Sequence, residues 1–420
     1  MGFLFASVVL YLVFATRERW DPVHPVVWYT PFIILYSFSA VFIHHRGHYK
    51  LDHPDEVSLI GFLAVSSGLI GISVVDWWIE SGSKWVPKVN ISLDKISLLV
   101  SFYGVLVLSL IYMGYVYASG VSSKPDLLRS DIIYLGVLYG VVNTFSLLTI
   151  VRSVMRRGQV PVLPVVITIA TFLAVVLVLG QRNPILRYFI GVTLILYGFG
   201  ILEKWQVYTV GISILVSIPL MGLAKAYVLS GKLGELNESL PLSILTGEFR
   251  SAGRNMDTLL SRAGEWEYRH GGTVITDVLR GVVPAPIHKF QNPTNWFRNE
   301  LHPELASKGM GPGFTFAGEG FINFGYIGVV VWFFLVSILI VYLYKHRKSS
   351  LLLYITYVSS VPIFIYSLRA DIANILSPVL KHVVVPLLML GGLSTIVKRY
   401  VCPTLDGIHS RSITGDDLPG

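Results

Sequence analysis

A chain of 420 residues that is 53% hydrophobic and only 14% charged, with a mean hydropathy of +0.64, lies far from the composition of a soluble domain. Its net charge of +8 sits in basic residues flanking apolar runs, which removes the need for a nucleic-acid partner. The runs are continuously apolar rather than alternating, which excludes a β-barrel, and the one cysteine, Cys402, excludes an internal disulfide.

The expected fold is therefore all-α and polytopic. Runs long enough to cross about 30 Å of hydrocarbon, roughly 20 helical residues, fall at 26–43, 57–79, 96–119, 131–151, 161–180, 206–224, 318–343 and 377–397. Shorter runs at 2–15, 188–202 and 351–367 bring the expected total to about eleven transmembrane helices. The first carries no basic residue ahead of it and does not read as a cleaved signal. With the C-terminus in the cytoplasm, the cytoplasmic segments hold fifteen lysines and arginines, among them Arg17, Lys204 and Lys345. The short loops opposite hold seven: Arg46, Lys50, Lys124, Arg129, Arg182, Arg187 and Arg369.

Residues 1–224 thus form eight transmembrane helices, 225–317 one large extracytoplasmic loop, 318–400 three further helices, and 401–420 a cytoplasmic tail with nothing to bury, expected to be disordered. Inside the loop the pattern predicts an amphipathic helix over 241–262 and a short one over 273–280. Pro284, Pro286 and Pro293 predict irregular chain through VVPAPIHKFQNPTNWF. His44, His45, His48 and His53 match no helix-face ligand set and read as a solvated loop, while Trp77, Trp78, Trp85, Trp205 and Trp296 read as interfacial anchors.

Arg250 and Arg254 are four apart on one helical face, between Glu248 and Asp257. They suit either a phosphate clamp or a solvated face with local ion pairs. Arg182 and Arg187 in QRNPILR, and Arg369 with Asp371 in LRADI, fall on the same side as the loop. Together they would form the basic collar that a lipid-diphosphate site requires. GFTFAGEGFINFGYIG, residues 313–328, puts Glu319 and Asn323 on one face where the next span begins. Glu319 could take a proton from a sugar hydroxyl with Asn323 holding that hydroxyl, or it could cap the helix, where the dipole favours negative charge. Glu248 and Asp371 are the other carboxylates suited to act as base, and Trp296 could stack on a sugar ring.

Residues 182–187, 247–254, 282–293, 311–328 and 369–371, with FAGEGFINFGYIG the most specific part, resemble the Wzy-type oligosaccharide repeat-unit polymerases of bacterial surface polysaccharide synthesis. The resemblance implies a membrane-integral, GT-C-like glycosyltransferase of the bacterial inner membrane. It would move a growing O-antigen, capsule or exopolysaccharide chain from undecaprenyl diphosphate to a new lipid-linked repeat unit, with no cofactor and no metal. It implies that Arg182, Arg250 and Arg369 bind the diphosphate and that Glu319 lies at the acceptor, with His288 and Lys289 further candidates for sugar contacts. Membrane lipids, a chain-length regulator and a flippase are the implied partners. Ala285 departs from the arginine that relatives often place after the proline, so that either Lys289 or Arg280 does its work or the work is not needed. Two other readings stand beside this one: an O-antigen ligase, which shares the donor, and a flippase for the same lipid, against which the absence of internal repeats argues.

Overall fold

The computed structural model describes residues 1–79, 95–119, 135–179, 181–230, 249–283, 290–307 and 311–400, and these are helical with connecting turns. In chain order the helices are α1 (Gly2–Arg17), α2 (Pro25–Trp28), α3 (Thr30–His45), α4 (Pro54–Trp78), α5 (Lys95–Ala118), α6 (Val137–Arg157), α7 (Val162–Leu179), α8 (Asn183–Gly198) and α9 (Lys204–Ser230). The polar segment follows with α10 (Arg250–Ser261), α11 (Gly272–Val282), α12 (Pro293–Leu301) and α13 (Pro303–Ser307). The chain returns to apolar helices in α14 (Phe316–His346), α15 (Leu351–Ser367), α16 (Ala373–Pro378) and, after a π-helical stretch at Val379–Val384, α17 (Val385–Tyr400).

Among the described residues six helices are long and apolar enough to cross a membrane, and Gly2–Arg17, Val162–Leu177 and Leu351–Ser367 are shorter apolar helices. This is a multi-pass membrane protein. Tight packing comes from small residues where helices meet. A Cβ on Gly71 of α4 would lie 2.7 Å from the Phe334 carbonyl oxygen of α14, and one on Gly68 would lie 3.3 Å from Ser337 Oγ.

The bundle has two distinct ends. At one, Lys204 donates to the Arg19 carbonyl, Tyr208 to the Trp20 carbonyl and Tyr197 to Asp21. Lys345 pairs with Asp76 at 2.9 Å in the same region, so the basic turns assigned to the cytoplasm collect together. At the other end, Asp257 of α10 accepts the backbone N–H groups of Asp52 and His53, pinning the polar segment onto the histidine-rich connection before α4. His44 Nδ1 accepts the Leu51 N–H inside that connection.

Two expectations change. Irregular chain was expected through Pro293, yet Pro293 opens α12, because its missing N–H costs nothing in a first turn and Asn292 caps the helix by accepting from Asn295 N. The span expected from residue 318 is interrupted: Phe324 and Gly325 are non-helical, with Gly325 at φ +61°. The chain doubles back there so far that a Cβ on Gly328 would lie 1.9 Å from the Gly320 carbonyl oxygen. Gly320 and Gly328 therefore meet backbone to backbone within their own motif. Of the helix expected over 241–262, α10 is the described part; 241–248 and the tail from 401 lie outside the described residues.

Gly328→Ala should accordingly destabilise the protein by about 2–3 kcal/mol, as overpacking against a backbone does. Gly104→Ala on α5, where nothing lies within 4 Å, should be neutral or stabilise by up to about 1 kcal/mol. Thermal midpoints of the two purified variants in one detergent check the contrast.

Candidate functional site

The polar segment and the start of α14 are joined by a chain of buried hydrogen bonds. His270 and Gly271 both adopt positive φ, and this turn aims the Gly271 N–H at Asn323 Oδ1, 2.9 Å away. Asn323 Nδ2 donates to Thr273 Oγ1 at 2.7 Å and to the Glu319 carbonyl at 2.8 Å. Thr273 in turn donates to Glu319 Oε1 at 3.0 Å, and Glu319 Oε2 accepts the Ile372 N–H at 2.6 Å. Glu319 and Asn323 are both 0% exposed. Spaced one turn apart they do share a face, and that face meets the first turn of α11 and the turn before α16.

Asp371 lies in that same turn and is equally buried. Its Oδ2 accepts from Asn292 Nδ2, Thr294 N and Thr294 Oγ1 at 2.7, 3.1 and 2.5 Å, and its Oδ1 accepts from Asn374 N and Nδ2. Five donors on one carboxylate describe an anchor for the start of α12. A third buried carboxyl, Asp277 of α11, accepts the Ala373 N–H at 3.2 Å and faces Glu319 within hydrogen-bonding reach. Burial, and then the charge of Asp371, push the Asp277 carboxyl up to about 8, against the pull of Arg280.

The arginines gather on two tyrosine rings beside this frame. Arg187 and Arg369 lie 6.0 and 5.9 Å from the ring centroid of Tyr366, bringing two distant parts of the chain to one aromatic side chain. Burial depresses the Arg369 guanidinium below its usual range; the phenol of Tyr36 opposes that and the charge of Arg182 adds to it. Arg250 and Arg254 gather on a second ring, Tyr49, at 6.0 and 4.7 Å. Tyr36 connects the two groups: its ring packs 4.8 Å from Phe249, the neighbour of Arg250, and its phenol feels the charge of Arg369. The Arg369 and Leu368 carbonyls accept the Phe314 and Phe316 N–H groups, so the extended chain before α14 fixes this turn from one side.

Five arginines singled out by sequence thus lie at one end of the bundle. Glu319, Asn323 and Asp371 point inward instead, and Trp296 is 8% exposed with the Arg269 guanidinium 5.2 Å from its ring centroid. Glu248, His288 and Lys289 lie outside the described residues. The sequence reading missed Thr273, Asp277, Tyr36 and Tyr366. Thr273 and Asp277 carried a readable signal, being one turn apart in a helix already expected.

Residues 267–400 match the family described as O-antigen polysaccharide polymerase Wzy. The resemblance read from the sequence is shown on this stretch, which holds the Glu319–Asn323 motif, Thr273, Asp277, Arg369 and Asp371. The match supports an O-antigen polymerase-type function in general. No curated protein and no solved structure matches the chain.

A pH dependence follows from Asp277. The folded protein keeps its proton up to about pH 8, whereas an exposed aspartate releases it near pH 4. Between these values the folded state binds the extra proton, so this group's contribution is fully present below about pH 4 and is lost as pH rises towards 8, by at most about 1.4 kcal/mol per unit. Asp277→Asn should flatten that fall, as read from thermal midpoints of both proteins between pH 5 and pH 8.

Proposed function

We propose that the protein polymerises undecaprenyl-diphosphate-linked oligosaccharide repeat units at the outer face of the bacterial inner membrane, with eleven spans and residues 225–317 outside. The convergence of Arg187 and Arg369 on Tyr366, with Arg182 and Arg250 close by, carries the reading. Guanidiniums gathered in partly desolvated surroundings present many planar donors to an anion with many acceptor oxygens. A diphosphate is such an anion, and its position at the membrane surface matches the end at which the polar segment sits.

In the proposed reaction a hydroxyl of the acceptor glycan attacks the anomeric carbon of the donor. The new glycosidic bond forms as the bond to the diphosphate oxygen breaks, the arginines take up the charge of the departing undecaprenyl diphosphate, and the hydroxyl proton passes to a base. Glu319 has both oxygens engaged and no exposed surface, so its proposed part is to hold the turn carrying Arg369. Asp371 is engaged likewise, which leaves Glu248, next to Phe249 in sequence, as the proposed base.

Two measurements on purified protein with lipid-linked repeat units test this. Arg369→Ala should lower polymer formation by about 10²-fold or more, as loss of one preorganised donor does, and Arg369→Lys should recover only part of it because the bidentate fork is gone. Wild-type rates for Arg369→Ala and Arg182→Ala alike would refute the diphosphate site. Glu248→Gln should cost roughly 10²–10⁴-fold in turnover with folding unchanged. Glu319→Gln should act mainly by lowering the thermal midpoint, and a 10²–10⁴-fold loss in a fully folded Glu319→Gln protein would return the role of base to Glu319.

A further inference from the structure

Helix α11 lies in the polar segment, yet its amphipathicity is reversed for a helix standing in water. At about 100° of rotation per residue, Thr273 and Asp277 fall on one face and Ile275, Val278 and Leu279 on the opposite one. Thr273 and Asp277 are buried, bonded to Glu319 and to the Ala373 N–H. Ile275, Val278 and Leu279 are instead 66%, 46% and 43% exposed. A helix packed onto a protein in water turns its aliphatic side inward, because fully burying one such side chain gains about 1.5–3 kcal/mol. Here the frame takes up the polar side, and three adjoining aliphatic side chains are left facing out.

Both ends of α11 touch helices long and apolar enough to cross the membrane. At its start, the Phe324 ring of α14 lies 3.4 Å from where a Cβ on Gly271 would stand. Phe324 is exposed, and so are Ile327 and Leu335 further along α14. At the other end, Lys381 Nζ donates to the Arg280 carbonyl at 3.2 Å, and α17 beyond it exposes Leu388 and Met389. Exposed aliphatic side chains on spanning helices meet lipid tails, which are as apolar as they are. After the reversal at Gly325, residues 326–346 of α14 extend roughly 30 Å, about the thickness of the hydrocarbon core. Phe324 and the start of α11 therefore sit at the edge of that core. Tyr268 and Tyr326 are exposed at the same place, and the Tyr268 hydroxyl lies 3.6 Å from where a Cβ on Gly325 would stand. Tyrosine is enriched at the level where hydrocarbon meets water.

We infer that α11 is an interfacial helix, lying at the membrane surface with Ile275, Val278 and Leu279 among lipid acyl chains and its polar face turned into the protein. The segment between α9 and α14 then returns to the membrane partway along instead of standing wholly in water. Thr273 links this lipid anchor to Glu319, so the membrane supports the frame from one side. The inference stands apart from the diphosphate reading and from which side of the membrane this end faces.

Spin labels test it. Cys402→Ser removes the one cysteine, and in that background Ile275→Cys and Leu279→Cys each carry a nitroxide on the exposed face. Leu335→Cys gives the lipid reference and Glu304→Cys, exposed on α13, the water reference. In nanodiscs the labels at 275 and 279 should collide with oxygen in preference to a water-soluble nickel chelate. Their collision ratio should be several-fold above that of Glu304→Cys and close to that of Leu335→Cys. Ratios at both positions equal to that of Glu304→Cys would place the face in water and overturn the inference. Few collisions with either reagent would mean that a protein surface, such as a second copy of this chain, covers the face, and would overturn it as well.

Discussion

The end of the bundle that carries the polar segment depends on one buried carboxyl. Glu319 receives a hydroxyl from Thr273 of α11 and a backbone N–H from Ile372, and so ties the polar segment, the start of α14 and the turn before α16 to a single point. A carboxyl with no exposure is tolerable only when its oxygens are matched, and the chain supplies those matches from residues some fifty positions away on either side. Asn323 extends the tie to Gly271 and Thr273, and Asp277 and Asp371 fasten the same turn at Ala373 and Thr294. Removing one member leaves its neighbours as buried, unmatched polar groups, which is why the cluster holds together or fails together.

That frame explains how the arginines can stand close to one another. Arg369 sits immediately before the fastened turn, and its own carbonyl is bonded by Phe314. Its guanidinium is thereby held near Arg182 and against Tyr366 although burial and like charge both oppose it. In the proposed enzyme an entering anion meets this guanidinium already placed, so that the carboxyls behind the site act on the reaction through the arginine in front of it.

Much of this was legible in the sequence. Apolar run length placed most of the long helices to within a few residues, because in hydrocarbon the chain has little choice but helix. The basic-residue count grouped Arg17, Arg19, Lys204 and Lys345 on one side, and the structure brings these turns together. The sequence puts Arg182, Arg187, Arg250, Arg254 and Arg369 on one side by spacing and loop position, and the structure brings Arg187 and Arg369 to Tyr366 and Arg250 and Arg254 to Tyr49. What sequence could not show was direction. Glu319 and Asn323 stand out equally whether they face a substrate or a neighbouring helix, and only the arrival of α11 and of the 371–373 turn decides it. The doubling back at Gly325 was hidden for a related reason: glycines at 320, 325 and 328 serve a close helix pair and a chain reversal equally well in one dimension. Pro293 misled because a proline reads as a breaker until its position relative to Asn292 makes it a helix start.

Glu319 is locked inside this frame and not offered to substrate. Hydrogen–deuterium exchange of the protein in nanodiscs reads it through the amides of Ile372 and Gly271, bonded to Glu319 and to Asn323. In the wild type these amides should exchange among the slowest of the polar segment and its neighbouring turns, and Glu319→Ala should raise their rates at least about 10²-fold, the equivalent of losing roughly 3 kcal/mol of local protection. Rapid exchange of both amides in the wild type would show an open frame, with Glu319 free to meet a sugar, and would contradict the account.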